Sequence, residues 1–301
     1  MNSKNSKFSY GRRAARRANA KINLYLDVLS RRNDGFHNIL TVMHSLSLHD
    51  DVLVEVQPAS VPEISLHVYG ARLPLNEKNL AYRAADCFMQ QTGLAGRVLL
   101  TIRKKLPVAA GLAGGSSDAA ATLLCLNELA GAPLSSGELL SLGASLGSDV
   151  PFCLVGGTQI CRGRGEVMES LSCPAPLFVV IAIGREHVST PRAFAAMDTY
   201  YHDFDGSVPH GKDAEALADA VRAGTLPQNA AMLYNAFEEV ILPGCPMAAT
   251  LRSRLLEMGA YAAHMSGSGP SVFGLFEREE DARRAAAVLG HCARVATSAA
   301  E

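Results

Sequence analysis

The apolar and polar residues near the start of the chain alternate in the pattern of a β-strand. In residues 20–29, AKINLYLDVL, aliphatic residues share one face, and polar and aromatic residues share the other: Ile22, Leu24, Leu26 and Val28 against Asn23, Tyr25 and Asp27. This period of two predicts a half-buried strand. The triplet Asn33-Asp34-Gly35 predicts a hairpin turn, and β-rich runs predict further strands that begin at Ile39, Asp51 and Glu63.

Longer periodic stretches predict helices, and two of them carry recognisable end signals. Residues 79–91 predict a helix that ends at Gly93, and residues 136–146 predict one capped by Ser135 or Ser136. A strand over residues 98–102 precedes a glycine-rich loop and another helix. In the second half, the pattern predicts strands at 177–183, 261–265 and 272–276, and helices near 191–200, 213–222, 229–241, 247–258 and 279–289.

Strands and helices mix without regular β-α-β alternation, which predicts the α+β class. The Pro-rich stretch from Cys173 to Pro176 is the predicted domain boundary. It divides the chain into a flexible basic tail over residues 1–19, an N-terminal domain over 20–172 and a C-terminal domain over 173–301. The segment around residues 202–212 is the best candidate for a mobile loop.

Composition limits the functions that the chain can have. The 301 residues are 48% hydrophobic and 19% charged, which suits globular domains with ample core material. The net charge of -1 provides no overall field for nucleic acid, and no apolar run is long enough to span a membrane. Seven scattered cysteines without a CxxC or HExxH pattern favour free thiols in the reducing cytoplasm over a zinc site.

The first 19 residues are basic: they carry Arg12, Arg13, Arg16 and Arg17 and no acidic residue. They lack the apolar segment of a secretory signal, although an Arg-rich stretch is also compatible with an organelle transit peptide or a nucleic-acid-binding arm. A solvated tail is the favoured interpretation. Neither nucleic acid nor a membrane is therefore an expected partner.

The stretch from Leu106 to Leu124, LPVAAGLAGGSSDAAATLL, is a glycine-rich loop that leads into a strong helix former. Ser116, Ser117 or Asp118 is predicted to cap this helix. A helix start preceded by glycines presents free N–H groups and a positive dipole end, which is a site for phosphate. The spacing matches neither a GK[ST] phosphate loop nor GxGxxG, and an ordinary turn with a helix cap is the alternative interpretation.

Four polar features lie where packing alone does not call for them. They are Lys21 at the start of the first strand, Asp149 before Val-Pro, the sequence Asp34-Gly35-Phe36-His37 after the hairpin turn, and the second glycine-rich loop SGSGPS over Ser266–Ser271. Taken singly, each also fits a solvated charge, a cap or a plain turn. Together, two anion-binding loops, a lysine and an aspartate are the components of phosphoryl transfer, in which the carboxylate accepts the proton of the attacking hydroxyl.

These motifs resemble those of the GHMP kinases. PVAAGLAGGSSDAA resembles the family's phosphate loop, and AKINLYLDVLSRRNDGFHNI, SLGSDVPF and MSGSGPSVF occur in the order and spacing of one branch of the family. The resemblance covers residues 19–277. It implies two α+β domains with ATP and substrate in the cleft between them, and it implies Mg²⁺ on the ATP phosphates.

The resemblance also implies roles for particular residues. Lys21 and Asp149 match the catalytic pair, with Asp149 as the general base. Asn79 matches an adenine-side contact, and Lys104 matches a lysine near the nucleotide. The phosphate loop corresponds to Pro107, Val108, Ala109, Ala110, Gly111, Leu112, Ala113, Gly114, Gly115, Ser116 and Ser117. The cytidine pocket of the branch corresponds to Asn23, Phe36, His37, Thr190 and Phe194, with His37 at the cytosine edge, Phe36 stacked on the base, and Thr190 and Phe194 as the opposite wall.

The activity implied by the resemblance is ATP-dependent phosphorylation of the 2-hydroxyl of a diphosphocytidyl ester of methylerythritol. A GHMP kinase that acts on homoserine or a mevalonate is the alternative enzyme, but those substrates have no base to stack on Phe36. A nucleotide-binding regulator without catalysis and a nucleic-acid-binding protein that uses the basic tail are the alternatives from other classes. The expected partners are therefore ATP and a cytidyl substrate, in a monomer or a homodimer.

Overall fold

The computed structural model describes residues 11–201 and 214–299. The start of the predicted tail, over residues 1–10, and the predicted mobile segment at 202–212 lie outside the described residues. The chain forms two compact units. The first unit contains the described residues up to Ala20 with His49–Val108 and Ala113–Val155, and the second contains Lys21–Leu48, Ala109–Leu112 and the described residues from Gly156 onward.

The first unit packs helices against a β-sheet. Its strands are β1 (Arg13–Arg31) and β2 (His37–Gln57), both shared with the second unit, and β3 (Glu63–Tyr69) and β4 (Arg97–Arg103). Its helices are α1 (Leu80–Thr92), α2 (Gly114–Leu129), α3 (Ser136–Leu146) and α4 (Val150–Val155). β4 lies between β3, to which it is parallel, and β2, to which it is antiparallel. Apolar faces of α1, α2 and α3 cover the sheet and form one core with it.

The second unit contains a four-stranded antiparallel sheet, in which the order of the strands is Ala293–Thr297, Phe178–Ala182, Val272–Phe276 and Ala262–Met265. Its remaining strands are β5 (Thr158–Arg162), β6 (Val167–Leu171), β7 (Phe178–Ala182), β8 (Tyr234–Asn235), β9 (Ala262–Met265), β10 (Val272–Phe276) and β11 (Ala293–Thr297). Its helices are α5 (Thr190–Tyr200), α6 (Ala214–Arg222), α7 (Glu238–Ile241), α8 (Pro246–Glu257) and α9 (Glu279–Leu289). The α+β class predicted from the sequence is therefore confirmed.

The units do not follow the boundary predicted at residue 173. Residues 156–172 cluster with the second unit because β5 pairs with residues 41–44 of β2, and β6 pairs with β5. Strand pairing between distant segments places them there, and composition along the chain carries no signal for it.

The helix ends follow their local signals. Asn79 caps α1 by accepting a hydrogen bond from the N–H of Ala81, and Gly93 ends the helix in the left-handed conformation. Ser135 and Glu138 form a capping box at the start of α3. These two helices were predicted within a residue of their observed bounds, because caps are local interactions.

The first strand differs from its prediction. β1 begins at Arg13, so the prediction of a solvated tail is wrong for residues 13–19. Ala14 and Ala18 are buried in the core of the first unit, while Arg16 forms an ion pair of 2.7 Å with Glu128. Residues 21–28 are buried on both faces, so the strand is not half-buried as its alternation predicted.

Two other predictions fail in the second half of the chain. The helix expected over residues 229–241 is instead a 3₁₀ segment over Pro227–Met232, the short strand β8 and the single-turn helix α7. β8 pairs in parallel with β1, and this tertiary pairing overrides the local helical pattern. The prediction also missed β11, which completes the antiparallel sheet.

The seven cysteines all lie in the described residues, and Cys87, Cys125, Cys173, Cys245 and Cys292 are free thiols, as predicted. None of the helices in the described part of the chain is long and apolar enough to cross a membrane. The cytoplasmic location and the oligomeric state stay predictions.

Candidate functional site

Three residues of the first glycine-rich loop have a left-handed backbone conformation. Ala109, Gly111 and Ala113 adopt positive φ angles, and α2 begins directly after them at Gly114. No side chain caps this helix, so the prediction that Ser116, Ser117 or Asp118 caps it is wrong. The helix starts earlier than expected, which places those three residues within the helix and not at its cap. The N–H groups of the first turn are therefore left without a side-chain acceptor, as phosphate binding requires.

Lys21 is buried on β1 and contacts this loop. Its Nζ donates to the Oδ1 of Asn23, at 2.7 Å, and to the carbonyl oxygen of Gly111, at 3.0 Å. Lys21 and Asn23 can meet because residues two apart on a strand point to the same face. Among the described residues of the second unit, no carboxylate lies within ion-pair distance of this ammonium. Its charge is therefore available to an anionic ligand.

A chain of hydrogen bonds orients Asn23. Its Nδ2 donates to the Oγ1 of Thr41, at 2.9 Å, and that hydroxyl donates to the backbone oxygen of Tyr25, at 2.5 Å. Because the amide nitrogen faces Thr41, the amide oxygen faces Lys21. The ammonium group is thus held in one position by a buried network.

The second glycine-rich loop packs against the first one within the second unit. The hydroxyl of Ser266 donates to the carbonyl oxygen of Gly111, at 3.0 Å. Gly111 has φ +72°, and a Cβ at this position would overlap the carbonyl oxygen of Ser266, so only glycine fits. Gly267 approaches Lys21 so closely that a Cβ on it would lie 3.2 Å from the ammonium nitrogen.

Asn235 on β8 holds the second loop in place. Its Nδ2 donates to the carbonyl oxygens of Met265, at 2.6 Å, and Gly267, at 2.9 Å, and its Oδ1 accepts from the N–H of Phe237. Asn235 is buried and was not among the predicted site residues. No local motif marks it, because its partners lie 30 and 32 residues away.

Three residues predicted for the cytidine pocket, His37, Thr190 and Phe194, lie on or against α5, whereas Asn23 contacts Lys21 and Thr41. His37 stacks on Phe194, with ring centroids 4.7 Å apart, and its Nε2 is 2.7 Å from a carboxylate oxygen of Asp198. Thr190 lies at the start of α5, and its hydroxyl is 3.1 Å from that of Ser268 in the second glycine-rich loop. The structure therefore brings His37, Phe194 and Thr190 together with that loop.

Phe36 is 48% exposed, which is unusual for a large aromatic ring. The guanidinium carbon of Arg164 lies over the ring, 4.7 Å from its centroid. Phe194 has one face against His37, so the predicted sandwich of a base between Phe36 and Phe194 stays a prediction. Arg164 and Asp198 are contacts that the sequence analysis missed, because each faces a residue more than 100 positions away.

The nucleotide-side residues of the first unit are engaged in structural contacts. Besides capping α1, Asn79 donates from its Nδ2 to the carbonyl oxygen of Pro74, at 3.0 Å. The side chain of Lys104 is 4% exposed, and its ammonium donates to the carboxylates of Asp50 and Asp118. The predicted ATP contacts of Asn79 and Lys104 stay predictions.

Asp149 lies in the turn between α3 and α4 and is partly exposed. Its backbone oxygen accepts from the N–H of Cys153, at 3.1 Å, which fixes the first turn of α4. Asp149 belongs to the first unit and Lys21 to the second, so the predicted approach of their side chains stays a prediction.

Two family models match the chain. The GHMP kinases N terminal domain matches residues 79–157, which include the first glycine-rich loop and Asp149, and the GHMP kinases C terminal domain matches residues 213–293, which include the second loop. The fold and the paired glycine-rich loops therefore define a GHMP kinase.

Individual relatives narrow this class. A 4-diphosphocytidyl-2-C-methyl-D-erythritol kinase of Pelotomaculum thermopropionicum is 44% identical over 271 residues, which are 90% of this chain and 91% of the relative. A crystal structure of 4-(cytidine 5'-diphospho)-2C-methyl-D-erythritol kinase is 34% identical, with a TM-score of 0.78 over 96% of this chain and 100% of that one. The chain belongs to the 4-diphosphocytidyl-2-C-methyl-D-erythritol kinase family, as the motifs predicted.

The fold alone does not distinguish this family from other GHMP kinases. Mevalonate kinase of L. major, in complex with R-mevalonate, has a TM-score of 0.75 over 97% of this chain and 98% of that one, at only 14% identity. The two proteins share the fold, and that likeness carries nothing about the substrate.

Proposed function

We propose that this protein transfers the γ-phosphoryl group of ATP to the 2-hydroxyl of 4-diphosphocytidyl-2-C-methyl-D-erythritol, giving the 2-phosphate and ADP, in the non-mevalonate route to isoprenoid precursors. The observation that carries the proposal is the buried Lys21 ammonium, held between Asn23 and Gly111 where the two glycine-rich loops meet. A fixed cation beside backbone N–H groups stabilises the negative charge of a transferring phosphoryl group.

Different residues of the chain have different roles in this reaction. The first-turn N–H groups of α2 and the loop before it bind the ATP phosphates. Lys21 neutralises negative charge at the transferred group, and Asp149 accepts the proton of the 2-hydroxyl as the general base. Both the donor phosphate and the acceptor hydroxyl must be positioned by other residues, because a phosphoryl transfer depends mainly on alignment and charge.

Mg²⁺ would neutralise charge on the ATP phosphates. In the described part of the chain, no group of three or more His, Cys, Asp or Glu side chains could hold a metal ion. Mg²⁺ at nucleotide sites is commonly held by phosphate oxygens and water with one or two carboxylates. We propose that Mg²⁺ binds together with ATP, on the oxygens of its phosphates.

The exposed ring of Phe36 and the His37–Phe194 stack favour a substrate that carries a base. The carboxylate of Asp198 fixes the ring of His37 through its Nε2, and Phe237 contacts the edge of Phe194, with centroids 5.0 Å apart. Rings held in this way can stack on a pyrimidine at little cost in side-chain entropy. Homoserine and mevalonate offer no such surface.

A coupled assay of ADP release tests the proposal directly. The purified protein is given ATP with one of three acceptors: 4-diphosphocytidyl-2-C-methyl-D-erythritol, homoserine or mevalonate. We expect acceptor-dependent ADP release only with the cytidyl compound. Faster release with either of the other acceptors, or release independent of any acceptor, would contradict the proposed substrate.

Replacing His37 with alanine is expected to raise the KM for the cytidyl substrate by about tenfold and to leave the KM for ATP unchanged. The variant loses a stacked ring and a hydrogen-bonding group, which together contribute about 1–2 kcal/mol. The measurement is initial rate against each substrate, with His291→Ala as the control, since His291 is exposed and lies outside the pocket. Equal effects on both KM values would place His37 elsewhere in the mechanism.

A further inference from the structure

Lys104, Asp50 and Asp118 form a buried charged cluster in the first unit. Asp50 comes from β2, Lys104 follows β4, and Asp118 is the fifth residue of α2. Asp50 is fully buried, and the Lys104 and Asp118 side chains are each 4% exposed. The Lys104 ammonium donates to both carboxylates, with a distance of 2.8 Å to Asp118. Three ionisable groups with two negative charges and one positive charge are costly to bury, so the cluster calls for an explanation.

The cluster makes polar contacts at both ends of the first glycine-rich loop. At its entrance, Asp50 Oδ1 accepts from the backbone N–H groups of Lys105, at 2.5 Å, and Leu106, at 2.8 Å. At its exit, Asp118 is part of the helix that the loop feeds. Lys104 therefore joins the segment that enters the loop to the segment that leaves it.

The ammonium also lies close beneath the start of α2. A Cβ built on Gly114, the first residue of the helix, would lie 3.3 Å from the Lys104 nitrogen. The absence of a side chain at Gly114 thus lets the cation approach the helix N-terminus, where ATP phosphates are proposed to bind. A change in the net charge of the cluster alters the electrostatic potential at the N-terminus of α2, since buried charges are poorly screened.

Asp118 is the member of the cluster that can change its charge. Asp50 accepts three hydrogen bonds, whereas Asp118 accepts one at Oδ2, and its buried Oδ1 has no hydrogen-bond partner among the described residues. Burial raises the pKa of Asp118 to about 7; the Lys104 ammonium opposes the rise, and the Asp50 carboxylate adds to it. Lys104 and Asp50 are the groups that act on Asp118 electrostatically.

We propose that Asp50, Lys104 and Asp118 are positioning residues for ATP, because they keep the phosphate loop in the shape that binds the nucleotide. When Asp118 loses its proton, the loop binds the ATP phosphates less tightly. Lys104 then acts on the nucleotide through the loop and not as a ligand. The inference rests on the proposed function, because it takes the loop to be the ATP site. With Asp118 protonated the cluster is neutral, and with Asp118 ionised it carries one negative charge beneath the phosphates.

The test compares the Kd of ATP for the wild type and Asp118→Asn at pH 6 and pH 8, measured by titration calorimetry without acceptor. Asparagine keeps the shape and fixes the neutral state. The ratio of the two Kd values cancels the titration of ATP itself. We expect a ratio near one at pH 6 and binding about 3- to 10-fold tighter by the variant at pH 8. A ratio that does not change with pH would overturn the charge role of Asp118.

Asp50→Asn sets positioning against charge, because it removes one negative charge from the cluster, and that loss alone would tighten ATP binding. The asparagine side chain turns either its NH₂ group or its weaker amide oxygen toward the N–H groups of Lys105 and Leu106 and the ammonium of Lys104. The loop is then held less firmly, so ATP binding should weaken at both pH values. Unchanged binding by this variant would overturn the positioning role. If the wild type binds no ATP at either pH, the proposed function fails instead, and the two failures are therefore distinguishable.

Thermal unfolding gives a readout that does not depend on ATP. The pKa of Asp118 is about 7 in the folded protein, against an ordinary value of 3.8 for an aspartate in the unfolded chain. The folded protein therefore binds more protons between these two values and loses stability as the pH rises through them. Asp118→Asn and Asp118→Ser have no carboxyl group at this position, so their stability does not fall with pH for this reason. We expect the Tm of each variant to rise relative to the wild type between pH 5 and pH 8, and parallel Tm profiles would contradict the titration of Asp118.

Discussion

Replacing Asp149 with asparagine is expected to lower kcat by about 10²–10⁴-fold and to leave ATP affinity close to that of the wild type. Asparagine has nearly the same shape and cannot accept the proton of the attacking hydroxyl. Asp149 contributes to the turn before α4 through its backbone oxygen, which the substitution retains. The loss should therefore fall on the chemical step.

The measurement is kcat from the coupled ADP assay, together with the Kd of ATP by calorimetry. Asp86→Asn is the matched control, since Asp86 lies on α1 in the same unit and its carboxylate accepts a hydrogen bond from Gln90. Turnover near the wild-type value by Asp149→Asn, with ATP binding intact, would remove the general base from the proposed mechanism. A joint loss of turnover and ATP affinity would instead assign Asp149 to nucleotide binding.

Local signals predicted those parts of the fold that depend on neighbours in the chain. The caps of α1 and α3 involve residues within a few positions of one another, and both helices were predicted closely. β8 and the early start of β1 depend instead on distant partners. Tyr234 pairs with Tyr25 across more than 200 residues, and no periodicity within residues 229–241 reveals this.

The residues of the candidate site likewise fall into those that sequence motifs predict and those that only tertiary contacts reveal. Lys21, Asn23 and Gly111 each belong to a motif in the sequence, and the structure brings these three residues together. Asn235, Asp198 and Asp50 support predicted residues from outside any motif. A motif marks the residues that are proposed to bind the ligand. The residues that hold them are defined by tertiary contacts, and sequence spacing alone does not identify those contacts.

The free-energy balance at Lys21 leads to an unusual expectation for Lys21→Met: kcat falls by about 10²–10³-fold while the free energy of unfolding stays within about 1 kcal/mol of the wild-type value. Lys21 is 3% exposed, and its ammonium is held by the neutral oxygens of Asn23 and Gly111. Burying a charge without an opposite charge is unfavourable, so methionine relieves that cost while it removes two hydrogen bonds. The carbonyl of Gly111 keeps the hydroxyl of Ser266 as a donor.

The kcat of the variant and its denaturant midpoint, measured on the same preparation, separate catalysis from folding. Lys78→Met is the control, because Lys78 is exposed and its loss should change neither quantity. Wild-type turnover by Lys21→Met would remove the ammonium from the reaction. Equal losses of activity and stability would mean that Lys21 serves the fold. Lost activity in a protein of unchanged stability is the result expected when the buried ammonium acts on the transferred phosphoryl group.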